Sequence, residues 1–284
     1  MSFIFYDTET TGTNTSFDQI LQFAAIRTDE NLNELDRYET RCRLDPHIVP
    51  SAGAFRVTGM TIERVTDASL PSHYEMVCEM RERLAGWCPA TFVGWNSMWF
   101  DEKLLRQAFY KCLYPPYFTN TQGNQRSDIM KLAQCVEAFA PGILNVPTDA
   151  RGKPSYKLDR LAPANGFAHL NAHDAMGDVE ATIHICRLIR ERAPHAWEQL
   201  LHCASKARVC PESLPDHIRE EEERHLAARL TGHGCDAPPW TTLAAADEDA
   251  AAMQLEGNPD HAGMLEAFRA HIAVLLRRAA DALT

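Results

Sequence analysis

The chain has 284 residues, of which 45% are hydrophobic, and a formal charge of −11 from 28 Lys and Arg against 39 Asp and Glu. That length and apolar content suffice for one large domain, or one domain with an appendage, and no apolar run reaches the roughly eighteen residues that a membrane span requires. The negative charge excludes a protein that holds nucleic acid by bulk surface charge alone.

The charge is unevenly placed. Residues 211–284 carry 14 acids against 6 bases, and residues 1–210 carry 25 against 22. If some acids of the first part hold metal, its remaining surface is close to neutral, so a phosphodiester substrate stays open, with salt-sensitive non-specific binding. Nine scattered cysteines without a C-x-x-C pair argue against a disulfide framework or a zinc site and for a reducing cytoplasm. The apolar stretch at residues 3–6 is too short for a signal peptide.

The first predicted strand is Phe3-Ile4-Phe5-Tyr6-Asp7-Thr8-Glu9-Thr10, followed by a Thr11-Gly12 turn. Residues 20–28 and 38–44 read as two more strands, and the short connections suggest an antiparallel meander. Residues 46–59 read as loop, with Pro46, Pro50, Gly53 and Gly59, ahead of a short helix at 62–65. Apolar spacing predicts helices at 73–87, 100–110 and 127–139, with a short buried strand at 91–96 and room for another short strand ahead of the last helix. Residues 141–154 read as loop. Further helices are predicted at 156–162, 175–190 and 196–205. This order makes an α/β domain over residues 1–205. Beyond it, Glu220-Glu221-Glu222-Glu223 is an acidic block, the stretch around 232–250 is rich in Gly, Pro, Ala and acids and is expected to be mobile, and residues 264–283 have a helical pattern.

The chemistry starts with Asp7 and Glu9. Side chains alternate along a strand, so the two carboxylates share a face. Each raises the other's pKa, and a divalent cation relieves the repulsion; carboxylate oxygens suit Mg²⁺ or Mn²⁺. Alone, such a pair more often marks a strand that ends in a solvated acidic turn. Asp101 follows the strand at 91–96 and stands at a helix start, where the dipole favours a carboxylate; capping alone would explain it. The third segment is Asn171-Ala172-His173-Asp174-Ala175-Met176-Gly177-Asp178. On one continuous helix His173 and Asp178 would lie about 140° apart, so they converge only if His173 precedes the helix. Asn171 and Asp174 are both candidate helix starters. A histidine beside a metal cluster is a candidate general base.

These segments resemble the DEDDh family of 3′→5′ exonucleases, in particular its bacterial exonuclease I branch. The resemblance also runs through Gln22-Phe23-Ala24-Ala25-Ile26-Arg27-Thr28, Thr58-Gly59-Met60-Thr61, Asn96 with Phe100-Asp101, Pro154-Ser155-Tyr156-Lys157-Leu158 and Ala164-Asn165-Gly166. It implies an RNase H-like mixed sheet flanked by helices. Asp7, Glu9, Asp101 and Asp178 would bind two Mg²⁺ ions, for which Mn²⁺ can substitute, and His173 would deprotonate the attacking water. The implied activity is release of nucleoside 5′-monophosphates from single-stranded DNA, with a place in DNA repair. Thr10 and Thr11 would meet the terminal nucleotide through backbone. Gly59 and Met60 would border its base, Met60 as a wedge or as core. Asn96 would lie beside the substrate, and Tyr156 and Lys157 would stack on and pair with the strand. Trp95 and Trp99 read as packing residues.

Other readings share parts of this pattern. An exoribonuclease acting on short RNA would use the same catalytic residues, and a catalytically silent nucleic-acid-binding protein would keep the fold. The family's longer members continue into an SH3-like and then a helical domain. Here residues 206–284 suggest only a reduced helical extension, whose acidity suits a protein partner better than a polyanion.

Overall fold

The computed structural model describes residues 2–168 and 174–203; His173, Asn171 and Ala172, and the predicted features of residues 206–284, lie outside the described residues. Five strands, β1 (Phe3–Thr10), β2 (Ile20–Thr28), β3 (Glu34–Arg41), β4 (Thr91–Gly94) and β5 (Gln125–Asp128), form one sheet in the order β3-β2-β1-β4-β5. The first three make the expected antiparallel meander, and β4 and β5 join parallel to β1. Eight helices are found among the described residues: α1 (Ala52–Thr58), α2 (Ile62–Val65), α3 (His73–Trp87), α4 (Asp101–Lys111), α5 (Ile129–Phe139), α6 (Leu158–Ala164), α7 (Ala175–Arg192) and α8 (Pro194–Cys203). This is the mixed sheet flanked by helices that the resemblance implied.

Strand alternation splits the core in two. Phe3, Phe5, Ala24 and Ile26 face one side and pack with Val179, Ile183 and Cys186 of α7 and with α5 and α6. Ile4, Tyr6, Phe23 and Ala25 face the other side and pack with Met76, Met80 and Leu84 of α3 and Leu104, Leu105 and Phe109 of α4. Each such side chain, buried from water, contributes roughly 1.5–3 kcal/mol. Asp7 and Glu9 continue the Phe3–Phe5 row, so the row that is core at one end of β1 becomes acidic at the other. At Gly94, the end of β4, a Cβ would fall 2.5 Å from that of Ser97 and 3.1 Å from the Tyr6 carbonyl. Glycine there lets the chain fold back at once and start α4 beside β1.

Several boundaries differ from the sequence expectation. Residues 46–59 are not all loop. Ser51 caps α1, accepting from the amides of Gly53 and Ala54, and Gly59 ends it in the left-handed region, but α1 buries no side chain and so left no apolar stripe to read. Strand β3 runs earlier than predicted, because Glu34 and Asp36 face partly outward and suppress the alternation. The helix expected over 127–139 begins at Ile129, after β5, with Asp128 as its cap. The helix expected over 156–162 occupies Leu158–Ala164.

One buried charge ties these layers together. Glu102 is 1% exposed. It accepts from the Tyr6 hydroxyl (3.0 Å), the Thr119 hydroxyl (2.9 Å) and the Arg126 guanidinium (2.8 Å), which joins α4 to β1 and β5. Removing one partner of a buried pair strands the other charge at a cost of roughly 3–5 kcal/mol. Glu102→Ala is therefore expected to lower the unfolding free energy by about that amount, read from urea midpoints at unchanged slope. A change below about 1 kcal/mol would show that Arg126 finds another partner or water.

Candidate active site

The site lies at the carboxyl ends of β1 and β4, where the sheet passes from antiparallel to parallel pairing. Asp7 and Glu9 come up from β1, and Asp178 comes from the first turn of α7, which packs on the same face. One carboxylate oxygen from each of the three lies within 4.8 Å of the others. Ala24 is the β2 residue opposite Asp7 and is fully buried; its small side chain leaves α7 room to approach.

Asp101 reaches the cluster from the other face. It is the first residue of α4, after Phe100 in the cap position, so it is not itself the cap. Its Oδ1 accepts from the hydroxyl of Thr8, the residue between Asp7 and Glu9 that points to the α4 side. Asp101 stays outside the convergent trio but is close enough for its charge to act on both Asp7 and Glu9.

The electrostatics follow from this crowding. Burial, then the charges of Asp101 and Asp178, push the Asp7 carboxyl well above the usual range. Burial and the neighbouring Asp178 and Asp101 raise Glu9 to about 8. Burial raises Asp101 to about 7, against the Thr8 hydrogen bond, which favours its ionised form. Such a cluster at neutral pH lacks positive charge. Its donors are all hard oxygens, which suits Mg²⁺ or Mn²⁺ and not a soft-ligand metal. The residues thus fit the divalent cations expected from the sequence.

The connections around the cluster are stiffly held. Asn96 sits in the left-handed region (φ 56°). Its amide and that of Met98 donate to Asp128, whose carboxylate also caps α5 through the amides of Met130 and Lys131. Trp95 donates its indole N–H to the Tyr156 carbonyl (3.0 Å), which ties the segment carrying Tyr156 and Lys157 to the same turn. Tyr156 is half-buried against the core and Lys157 is exposed. The Ser51 amide donates to the Thr11 carbonyl, so the segment leading to Gly59 and Met60 is anchored beside the end of β1. Met60 is half-buried and borders a cavity of about 200 Å³ with Leu21, Arg41 and Arg64. Thr10 donates its hydroxyl to the Gly12 carbonyl. Thr11 is fully buried, its amide on the Gln19 carbonyl and its hydroxyl on Asp18. Thr11 therefore shapes the turn, with its amide and its carbonyl each bonded within the protein.

Sequence reasoning passed over Glu102 and Asp128, the carboxylates that hold Asp101 and Asn96 in place. A signal existed for the first: Glu102 shares a helix face with Leu105 and Phe109, an acid on an apolar stripe. Trp99, expected to be packing, is 49% exposed, with the Lys103 ammonium 5.1 Å above its ring.

A partly buried acidic trio at a sheet switch point, with a fourth acid beside it from a neighbouring helix, defines a carboxylate-metal site on an α/β nuclease-like frame. The chain belongs to the exonuclease family: the family model described as Exonuclease matches residues 4–186. Within that family it is similar to exodeoxyribonuclease I of Escherichia coli strain K12, at 35% identity over 211 residues, 73% of this chain and 44% of that protein. The crystal structure of E. coli exonuclease I with a dA16 oligonucleotide superposes with a TM-score of 0.69 at 32% identity, over 73% of this chain and 44% of that one. A zinc-bound form of the E. coli exonuclease I complex with single-stranded DNA matches at a TM-score of 0.66 and 32% identity, over 70% and 42% of the two chains. The chain thus spans less than half the length of these relatives.

The raised acids set a pH dependence with a definite sign. Glu9 and Asp101 hold protons in the folded state up to about 8 and about 7, whereas unfolded carboxylates release theirs near 4. Between those values the unfolded state binds fewer protons, so the metal-free protein loses stability as pH rises. The Tm of metal-free protein should fall from pH 5 to pH 8, and saturating Mn²⁺ should raise it more at pH 8 than at pH 5.5. A metal-induced shift that is flat with pH, measured by calorimetry, would contradict the described electrostatics.

Proposed function

We propose that this chain is a metal-dependent 3′→5′ exonuclease that acts on single-stranded DNA and releases nucleoside 5′-monophosphates by two-metal-ion hydrolysis. The observation that carries the reading is the convergence of Asp7, Glu9 and Asp178 within 4.8 Å at the end of β1. Four carboxylates would repel a phosphodiester, so this site can receive one only with its local charge reversed. Bound divalent cations supply that positive charge at the phosphate and lower the pKa of an attacking water.

The protein's own part is positional and protonic. Asp7, Glu9 and Asp178 would hold the cations, with Asp101 completing the set from α4. His173 would take the proton from water; it precedes the cap residue of α7, as the sequence requires for it to share a site with Asp178. Gly59 and Met60 would border the terminal base, and Asn96 would face the nucleotide from its rigid turn. The backbone of Thr10 would border the sugar, and Tyr156 with Lys157 would meet the strand further out.

A second surface favours a flexible single strand. Within five residues of Asp101, α4 presents Lys103 over Trp99 and Arg106 5.0 Å over the Tyr117 ring. Exposed Tyr110 lies beside them on a cavity of about 430 Å³. Aromatic faces interleaved with cations suit unpaired bases and their phosphates, each stacked base contributing about 1–3 kcal/mol. The E. coli relatives crystallised with single-stranded DNA agree with that choice.

The test is a time course with matched deoxy and ribo oligomers in Mg²⁺ or Mn²⁺, with products separated by chromatography. Wild type should release mononucleotides one at a time from the 3′ end of the deoxy oligomer, and Asp178→Ala should release none. His173→Ala should lose on the order of 10²–10⁴-fold in rate while calorimetry shows Mn²⁺ affinity retained. Cleavage of RNA alone would assign a ribonuclease. Binding without metal-dependent release would leave a nucleic-acid-binding protein.

A further inference from the structure

Asp174 occupies the cap position of α7, with extended backbone (φ −114°, ψ 122°), yet its carboxylate makes no bond to the helix it starts. A capping bond normally contributes about 0.5–2 kcal/mol, and aspartate is among the best residues for it. The carboxylate turns to the sheet instead. Its Oδ1 accepts from Gln22 Nε2 at 3.0 Å and from the Arg41 guanidinium at 2.9 Å. Glu39 closes the ring, its Oε1 accepting from Gln22 at 3.0 Å and from Arg41 at 3.2 Å.

The donors stand in a row. Gln22 is directly opposite Glu9 across β1 and β2, and Arg41 is directly opposite Gln22 across β2 and β3. Residues paired across strands point to the same face. So one cross-sheet line runs from a carboxylate of the proposed metal cluster, through a buried amide, to a guanidinium, and the last two grip the start of the helix that carries Asp178. Gln22 is 2% exposed, so its amide cannot turn to water.

Stability does not account for this arrangement. The Arg41–Asp174 pair is about a third exposed on each side, and ion pairs of that kind contribute little to folding. Its location is what matters. Asp174 follows His173 directly and accepts the Asp178 amide at its carbonyl (3.1 Å), closing the first turn of α7. The Asp174 charge already reaches Asp7 and Glu9; released from the clamp, it would be one more acid beside the trio.

We propose that Arg41 and Gln22 are positioning residues that act through Asp174 to seat the amino end of α7, and with it Asp178, against the carboxylate cluster. The inference rests on the exonuclease reading above. The clamp also keeps the Asp174 carboxylate turned toward the sheet and out of the metal site. Partners of this kind behind metal ligands typically matter by 10–100-fold in activity or metal affinity.

A double-mutant cycle on the full chain tests it, with Arg41→Ala, Asp174→Ala and the pair together, assayed on a dT oligomer in Mn²⁺. Each single variant should lower kcat roughly 10–100-fold, with KM within about twofold and Tm near wild type. The double variant should be no slower than either single, because one device has been removed. Arg41→Lys, which can still donate to Asp174, should recover part of kcat. Additive losses, a rise in KM at unchanged kcat, or wild-type kcat in the single variants would each overturn the clamp. A wild type that cleaves nothing would sink the exonuclease reading instead. The same cycle is then read in Mn²⁺ affinity, where non-additivity supports the clamp and additivity overturns it.

Discussion

Repulsion among Asp7, Glu9 and Asp178 is the constraint on which the rest of this structure depends. Three carboxylates within 4.8 Å of one another do not assemble by mutual attraction; something else must hold the backbone that carries them. The sheet core does so for β1. Phe3 and Phe5 are locked into one hydrophobic cluster and Ile4 and Tyr6 into the other, so β1 can neither twist nor slide to separate its acids. A one-residue slip would turn both acids to the α4 side and expose apolar rows in exchange. Helix α7 is held as firmly, by Val179, Ile183, Cys186 and Ile189 along one face.

The remaining groups are arranged as a second ring of charge that compensates the first. Glu102 is matched by Arg126, Tyr6 and Thr119. Asp128 is matched by four backbone amides. Asp174 is matched by Gln22 and Arg41. Each is an acid close to the cluster that already has its donors, so none competes for a cation. Asp7 and Glu9 stand instead among other acids, and burial with those neighbouring charges raises both. That contrast separates acids that hold the frame from acids that would hold metal, and it follows from their surroundings and not from residue type.

How much of this was legible in the sequence varies by element. The buried strands and the amphipathic α3, α4 and α7 were readable because their apolar spacing is dictated by packing. So were Asp7 and Glu9, because a two-residue spacing on a strand fixes their common face. Helix α1 was not, since it buries nothing and is set by Ser51 and Gly59 alone. β5 was expected only as a short strand without bounds ahead of its helix, because its four residues, Gln125-Arg126-Ser127-Asp128, carry no apolar alternation; pairing with β4 makes them a strand. Of the site, the acids that converge were found by type and spacing. The clamp was not, because Gln22, Arg41 and Asp174 meet only through strand register, which no local pattern encodes. Asp174 was in fact read as a helix starter, which its position is and its side chain is not.

Register also accounts for the asymmetry between the two faces of β1. On the α7 side, the row opposite Asp7 is Ala24 and then Glu39, and the row opposite Glu9 is Gln22 and then Arg41. A small residue beside one acid makes room for the helix that brings Asp178. A donor beside the other grips the end of that helix. On the α4 side, Thr8 lies between the two acids and donates to Asp101, so the fourth carboxylate is held by the same strand from behind. Three successive residues of β1 thus address two helices on opposite faces. Alternation along one strand brings Asp178 to its acids on one face and holds Asp101 near them on the other. The parallel neighbour β4 stops at Gly94, where the close approach of Ser97 leaves no room for a Cβ and the chain turns toward α4.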